Sequence, residues 1–186
     1  MKKHQLIAIL TALAASVACP VFGQSLSGTF DGVGTLTPTG TPGIYAESFT
    51  GDGDDATYGA FTPTGTSTID FSHPPHITTS GGLFTLAFEN GTIIGTGSGS
   101  GTGNGSGTAT ATLDLIITGG TGFFAGATGS AAVTGTLTQT SPTTVSFSNG
   151  TYTGTVNLAP EPSITLSLVL PAIGALVLRR RATARV

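Results

Sequence analysis

Polarity alternates residue by residue through GTATATLDLIITG (residues 107–119). Thr108, Thr110, Thr112 and Asp114 share one parity, and Ala109, Ala111, Leu113 and Leu115 the other. A period of two belongs to a strand, and this sorting predicts one wet face and one buried face. The same separation marks TTVSFSNGTYTGTVNL (143–158), where Asn149-Gly150 predicts a type I′ hairpin turn. Pairing outward from that turn sets Phe147 opposite Tyr152 and Val145 opposite Gly154 on the buried face. Ser148 with Thr151, Ser146 with Thr153 and Thr144 with Thr155 fall on the wet face. GLFTLAFENGTIIGTG (82–97) predicts a second hairpin turning at Asn90-Gly91. There Phe88 faces Ile93, and Phe84 and Leu86 fall opposite Gly97 and Gly95. The apolar-free run GSGSGTGNGSG (97–107) predicts a flexible loop rather than the Gly-rich end of a strand.

Residues 24–158 are rich in Thr, Gly, Ser, Phe, Ile and Val, a composition of strands and tight turns. No fixed period recurs, which disfavours a solenoid. The fold expected is all-β: an antiparallel barrel of about eight strands around one core, with a β-sandwich as the alternative. The stretch GGTGFFAGATG (119–129) resembles the Gly-Gly-Thr-Gly-x-Phe-x-x-Ala-x-Gly segment of dirigent proteins and allene oxide cyclases. That resemblance implies an eight-stranded antiparallel barrel, with the glycines serving a tight bend where Phe123 or Phe124 enters it. The chemistry of those families is not carried over. They bring charged residues into the cavity, and this body has no arginine to take such a role.

Charge is segregated. Lys2, Lys3, Arg179, Arg180, Arg181 and Arg185 are the only cations of the chain. Between them lie Asp31, Glu47, Asp52, Asp54, Asp55, Asp70, Glu89 and Asp114, so the formal net charge of −3 conceals a strongly acidic middle. A body without cations cannot neutralise phosphates, which excludes nucleic acid as its partner and an anionic lipid surface likewise.

The two ends read as addresses. MKKHQ, the apolar LIAILTALAASVA and the small residues before Gln24 form a signal-peptide pattern over residues 1–23, with cleavage expected after Gly23. Cys19, the only cysteine, would leave with it, so no disulfide is expected. The tail, 159–186, opens with Pro160-Glu161-Pro162, continues uncharged from Ile164 to Leu178 and ends on Arg179-Arg180-Arg181. As a helix the uncharged run reaches ~22 Å, short of the ~30 Å hydrocarbon core. Pro171 would kink it. These three parts in order resemble the PEP-CTERM sorting signal. The resemblance implies recognition by an exosortase-type sorting protease, transient membrane anchoring by 164–178, and delivery to an envelope or matrix containing exopolysaccharide.

Candidate chemistry in the body is sparse. Asp70, His73 and His76, in DFSHPPH, have metal-ligand types, but Pro74 and Pro75 break the helix that would align them. Asp52, Asp54 and Asp55 have the density of a calcium loop without its pattern, since Ala56 and Pro63 stand where ligands are required. A solvated acidic turn is expected there. No catalytic residue and no cofactor is assigned. The reading favoured is a structural or interaction protein of the envelope or exopolysaccharide matrix, without enzymatic activity. The alternatives are a small apolar-ligand carrier with a cavity lined by Phe84, Phe88, Phe147 and Tyr152, and then an isomerase-like enzyme. A filled core favours the first, an apolar cavity the second, and a perturbed carboxylate inside it the third.

Overall fold

The structure, a computed structural model, describes residues 23–159. The signal peptide expected over 1–23, apart from Gly23, and the sorting tail expected over 159–186, apart from Ala159, with Pro160, Glu161, Pro162 and Arg179–Arg181, lie outside the described residues. Eight strands follow one another along the chain: β1 (Gly23–Pro38), β2 (Ile44–Asp55), β3 (Gly59–His73), β4 (His76–Phe88), β5 (Gly91–Gly103), β6 (Thr108–Gly120), β7 (Thr128–Ser141) and β8 (Thr144–Asn157). Each pairs antiparallel with its neighbours in sequence, and β8 returns to β1 to close the barrel. One short 3₁₀ turn, η1 (Gly122–Phe124), interrupts the meander. No helix among the described residues is long and apolar enough to cross a membrane.

The alternation read in the sequence becomes the inside and outside of the barrel. Leu26, Leu36, Phe61, Ile69, Val133 and Val145 point inward and are buried, while Thr29, Asp31, Thr35, Thr62, Thr110 and Thr112 are exposed. A barrel that faces lipid carries its apolar band outside and polar groups in the lumen; this one has the reverse order. Leu83, Ile94 and Ile116, on three consecutive strands, interrupt the hydroxyl-rich outer face.

Both predicted hairpins are corrected, and in neither case does the face assignment change. Asn149-Gly150 is not a turn but lies inside β8, where two residues, Ser148 and Asn149, stand against Asp31 alone on β1. Asn149 adopts φ 52, and its N–H donates to Asp31 Oδ1 at 2.8 Å. A one-residue bulge shifts strand parity just as a two-residue hairpin does, so Phe147 and Tyr152 still share the inner face. The chain reverses instead between Ser141 and Thr144. The β4–β5 hairpin turns at Glu89-Asn90, pairing Phe88 with Gly91, Leu86 with Ile93 and Phe84 with Gly95. Relative to the predicted register this is a shift of two, which preserves every side chain's face.

The Gly-rich run 97–107 is also corrected, because β5 continues through it to Gly103 and only Asn104–Gly107 form the turn. A Cβ on Gly97 would come 2.8 Å from Leu115 Cδ2, and one on Gly99 would come 2.5 Å from Leu113 Cδ2. Along Gly97–Gly101 the inner face of β5 is bare backbone, and Leu113 and Leu115 of β6 lie across it. Pro63, inside β3, falls where the pairs Gly51–Pro63 and Asp52–Thr62 are missing from an otherwise regular β2–β3 ladder. A residue without an N–H interrupts a ladder at this point without displacing it.

The two ends differ. At one, η1 carries Phe124 into the core, 1% exposed, while its neighbour Phe123 stays out at 49%. Phe124 packs against Tyr58 at 5.0 Å and Phe88 at 5.2 Å between ring centroids. At the other end, Leu36, Ile69 and Val145 form a smaller cluster with Tyr45, Phe71, Ile77 and Leu137 around it.

Candidate functional site

Between the aromatic stopper and the smaller cluster the barrel is not filled. An apolar cavity of about 150 Å³ lies along its axis, walled by Leu26, Phe30, Phe49, Phe84, Leu113 and Val133 among others. Glycines make the room: Gly34, Gly65, Gly82, Gly97 and Gly101 contribute wall without side chain. Where glycines sit under rings, the rings have moved in. A Cβ on Gly135 would lie 2.3 Å from Phe147 Cζ, and Phe147 in turn stacks on Phe30 at 5.1 Å and 14°. The cavity survives where no ring has done so. Toward the open end, Ile77, Ala109, Leu137 and Val145 separate it from a vestibule of about 430 Å³ bordered by Phe71, Pro74, Pro75, His76 and Gln139.

Glu47 is the one charged side chain in the cavity wall among the described residues. It stands on β2 between Leu36 of β1 and Ser67 of β3, at the same level of the barrel. Tyr45 and Phe49, two residues away on either side, share its face and are half-buried. Ser67 Oγ donates to Glu47 Oε2 at 2.7 Å. Oε1 has no hydrogen-bond partner among the described residues, and no buried side-chain oxygen there is both sealed and unpaired, so Oε1 stays reachable. Desolvation by burial lifts the Glu47 pKa above its ordinary value, and the Ser67 hydrogen bond opposes this. Gly34 gives the carboxyl its place, since a Cβ there would come 2.4 Å from Oε1. The arrangement is a hydrogen-bonding group of raised proton affinity at the rim of an apolar hole, able to donate when protonated.

The one fully buried carboxylate among the described residues belongs to the framework. Asp55, 2% exposed, accepts from the Ser27 N–H at 3.1 Å, the Thr57 N–H at 2.8 Å, the Tyr58 N–H at 3.0 Å and the Tyr152 hydroxyl at 2.6 Å. The Ser27 and Tyr152 bonds tie the β2–β3 turn to β1 and β8 at the stoppered end, while the Thr57 and Tyr58 bonds close the turn itself. Desolvation, then Asp55, raise the Tyr152 pKa far above its ordinary value. Beside it, Tyr58 donates to Gln24 Oε1 at 2.5 Å.

The expected acidic turn at 51–55 is therefore corrected. It is the end of β2, with Asp52 and Asp54 exposed outside and Asp55 turned inside. Gly51 and Gly53 give the segment the same inward parity as Asp55, and the Phe61 ring lies over Gly53. Asp70, His73 and His76 sit at the β3–β4 turn. Ser72 donates its N–H to Asp70 Oδ1 at 2.7 Å, and its hydroxyl lies 2.8 Å from His73 Nδ1. The Ser72 hydrogen bonds hold Asp70 below its ordinary pKa. No three metal-ligating side chains gather among the described residues. Of the aromatics named from sequence, Phe84, Phe147 and Tyr152 line the cavity, while Phe88 packs under Phe124 and Phe61 in the stopper. Glu47, counted in the sequence only as one acid among eight, is the residue that reading missed.

No family model matches the chain, and no curated protein matches it, so the two family resemblances rest on the residues quoted above alone. A solved structure with a similar course of chain is described as a nonspecific heme-binding cyclase that catalyses [4 + 2] cycloaddition during neoabyssomicin biosynthesis. The match covers 95% of this chain and 92% of that chain, at 15% identity and a TM-score of 0.41. At that identity and score the likeness carries no argument about the chemistry of the present chain.

Proposed function

We propose that this is an exported protein whose barrel binds a small apolar molecule along its axis. The observation that carries the binding reading is the cavity of about 150 Å³ between the two packed clusters, apolar but for Glu47, Ser67, Thr79 and a few other hydroxyls. An apolar hole of that size can take up a benzene-sized guest. It is smaller than the ~300–1,000 Å³ of drug-sized sites, which limits the guest to a single ring or a short chain. The test is uptake of xenon or benzene followed by NMR, with Ala111→Phe as the blocked control, because Ala111 lines the cavity. Uptake lost in that variant supports the reading. Absence of uptake by the wild-type chain returns the function to a packed structural protein of the envelope.

Export and sorting are supported by the signal-peptide pattern of 1–23 and by Pro160-Glu161-Pro162, the apolar run and Arg179–Arg181. Substituting Glu161 or the three arginines should leave full-length chain in the membrane fraction, and normal release of both variants would refute it. The exposed threonine rows suit weak multivalent contact with exopolysaccharide, a partner compatible with binding inside the barrel. Turnover is a second reading, favoured by the half-buried Glu47 carboxyl, which has the raised proton affinity of a general acid or base.

A further inference from the structure

We infer that the guest is uncharged and carries one hydrogen-bond-accepting oxygen, a carbonyl or an ether, which docks on Glu47 Oε1. This rests on the apolar-ligand reading above and specifies it. Three observations converge on it. Oε2 is engaged by Ser67, whereas Oε1 has no partner among the described residues and is not sealed. The wall around it is apolar, so a group that docks there replaces the water Oε1 would otherwise need. Finally, no Lys or Arg exists between residues 24 and 158, so an anionic guest would meet a carboxyl and no counter-charge. A cationic guest would require an ionised carboxylate in the same wall, which burial opposes.

The groups facing Glu47 are few. Leu36 and Gly34 come from β1, Ser67 from β3 and Tyr45 from the same strand. Tyr152 lies farther down the cavity, held by Asp55, and His76 borders the vestibule. His76→Ala therefore separates any contribution of the vestibule histidine from that of Glu47.

The experiment compares three six-membered rings, methylcyclohexane, cyclohexanone and cyclohexylammonium, titrated into the full chain over a pH series starting at pH 4 and followed by amide NMR shifts. At pH 4, below the ordinary glutamate value of 4.5, cyclohexanone should bind about tenfold more tightly than methylcyclohexane, the gain of one hydrogen bond. That preference should shrink as rising pH ionises the carboxyl, survive in His76→Ala and in Glu47→Gln, which keeps a donor, and vanish in Glu47→Leu. Equal affinity for the two neutral rings, or a preference that persists in Glu47→Leu, would overturn the inference while leaving the cavity reading intact. Tighter binding of the ammonium than of the ketone would overturn it by making Glu47 a carboxylate anchor. If no ring binds, the cavity reading falls and the inference with it.

Discussion

Where β2 runs into β3 through Asp55–Gly59, the barrel is stoppered by three interlocked rings and by a carboxylate that accepts four hydrogen bonds. Where β3 runs into β4 through Pro74–Pro75, a vestibule leads down to four aliphatic residues and then to the cavity. The first end spends its polar group on holding strands together. Near the second, Glu47 has one oxygen engaged and one left over. The contrast separates two inward-facing carboxyls by role: a carboxylate with every lone pair directed at protein donors is framework, and one with a free oxygen facing a hole is available to a guest.

The largest effects should fall at the stoppered end. Asp55→Ala leaves three N–H groups and one hydroxyl without their acceptor, and at ~1–3 kcal/mol each, partly regained from water, the loss should reach about 4 kcal/mol or more. Phe124→Ala should follow at about 3–5 kcal/mol by cavity creation. Phe71→Ala, at the open mouth, should cost about 1 kcal/mol. Urea unfolding of the three variants measures this order. Equal losses at both ends would abolish the distinction between stopper and mouth.

Much of this was legible in the residues. Alternation in 107–119 gave the faces of β6, and GGTGFFAGATG marked the place where a phenylalanine enters the core. What failed was connectivity around Asn-Gly pairs. A bulge and a two-residue turn impose the same parity change, and only the closure of β8 onto β1 and β7 decides between them. The Gly-rich stretch misled because its glycines are vacant inner positions over which Leu113 and Leu115 lean, a property of the neighbouring strand. Glu47 did leave a signal: in Tyr45-Ala46-Glu47-Ser48-Phe49 the carboxylate shares the parity of two aromatics. On a strand this places it inside. Which inward-facing carboxylate keeps a free oxygen is not set by spacing, because it depends on donors from other strands.

A smaller effect, with a defined sign, should come from the cavity. Burial raises the Glu47 pKa above the ordinary 4.5, so the folded chain keeps this proton to higher pH than the unfolded chain does. Stability therefore falls as pH rises from about 4.5 through the folded-state pKa, and the full cost is present above it. Glu47→Gln removes that cost. Its Tm should exceed the wild type's by roughly 2–4 °C at pH 8 and match it at pH 4. A variant less stable at pH 8 than at pH 4, relative to wild type, would mean that the carboxylate is held by partners the structure does not show.

The smallest effect is expected at the rim, and it tests the open end from outside. Asp70, His73 and His76 flank the β3–β4 turn without gathering into one cluster; Asp70 spends an oxygen on the Ser72 N–H, and Ser72 bridges to His73. An exposed turn whose polar groups satisfy one another locally contributes little to folding, and surface changes of this kind usually stay within ~0.5 kcal/mol. Replacing His73 and His76 together by alanine should therefore shift Tm by no more than about 2 °C. Zinc or calcium at millimolar concentration should leave both proteins equally stable, since a metal that binds only the folded state would raise Tm with its concentration. A metal-dependent rise in wild type, abolished in the double variant, would turn the mouth of the barrel into a site and remove the asymmetry between a working interior and an inert rim.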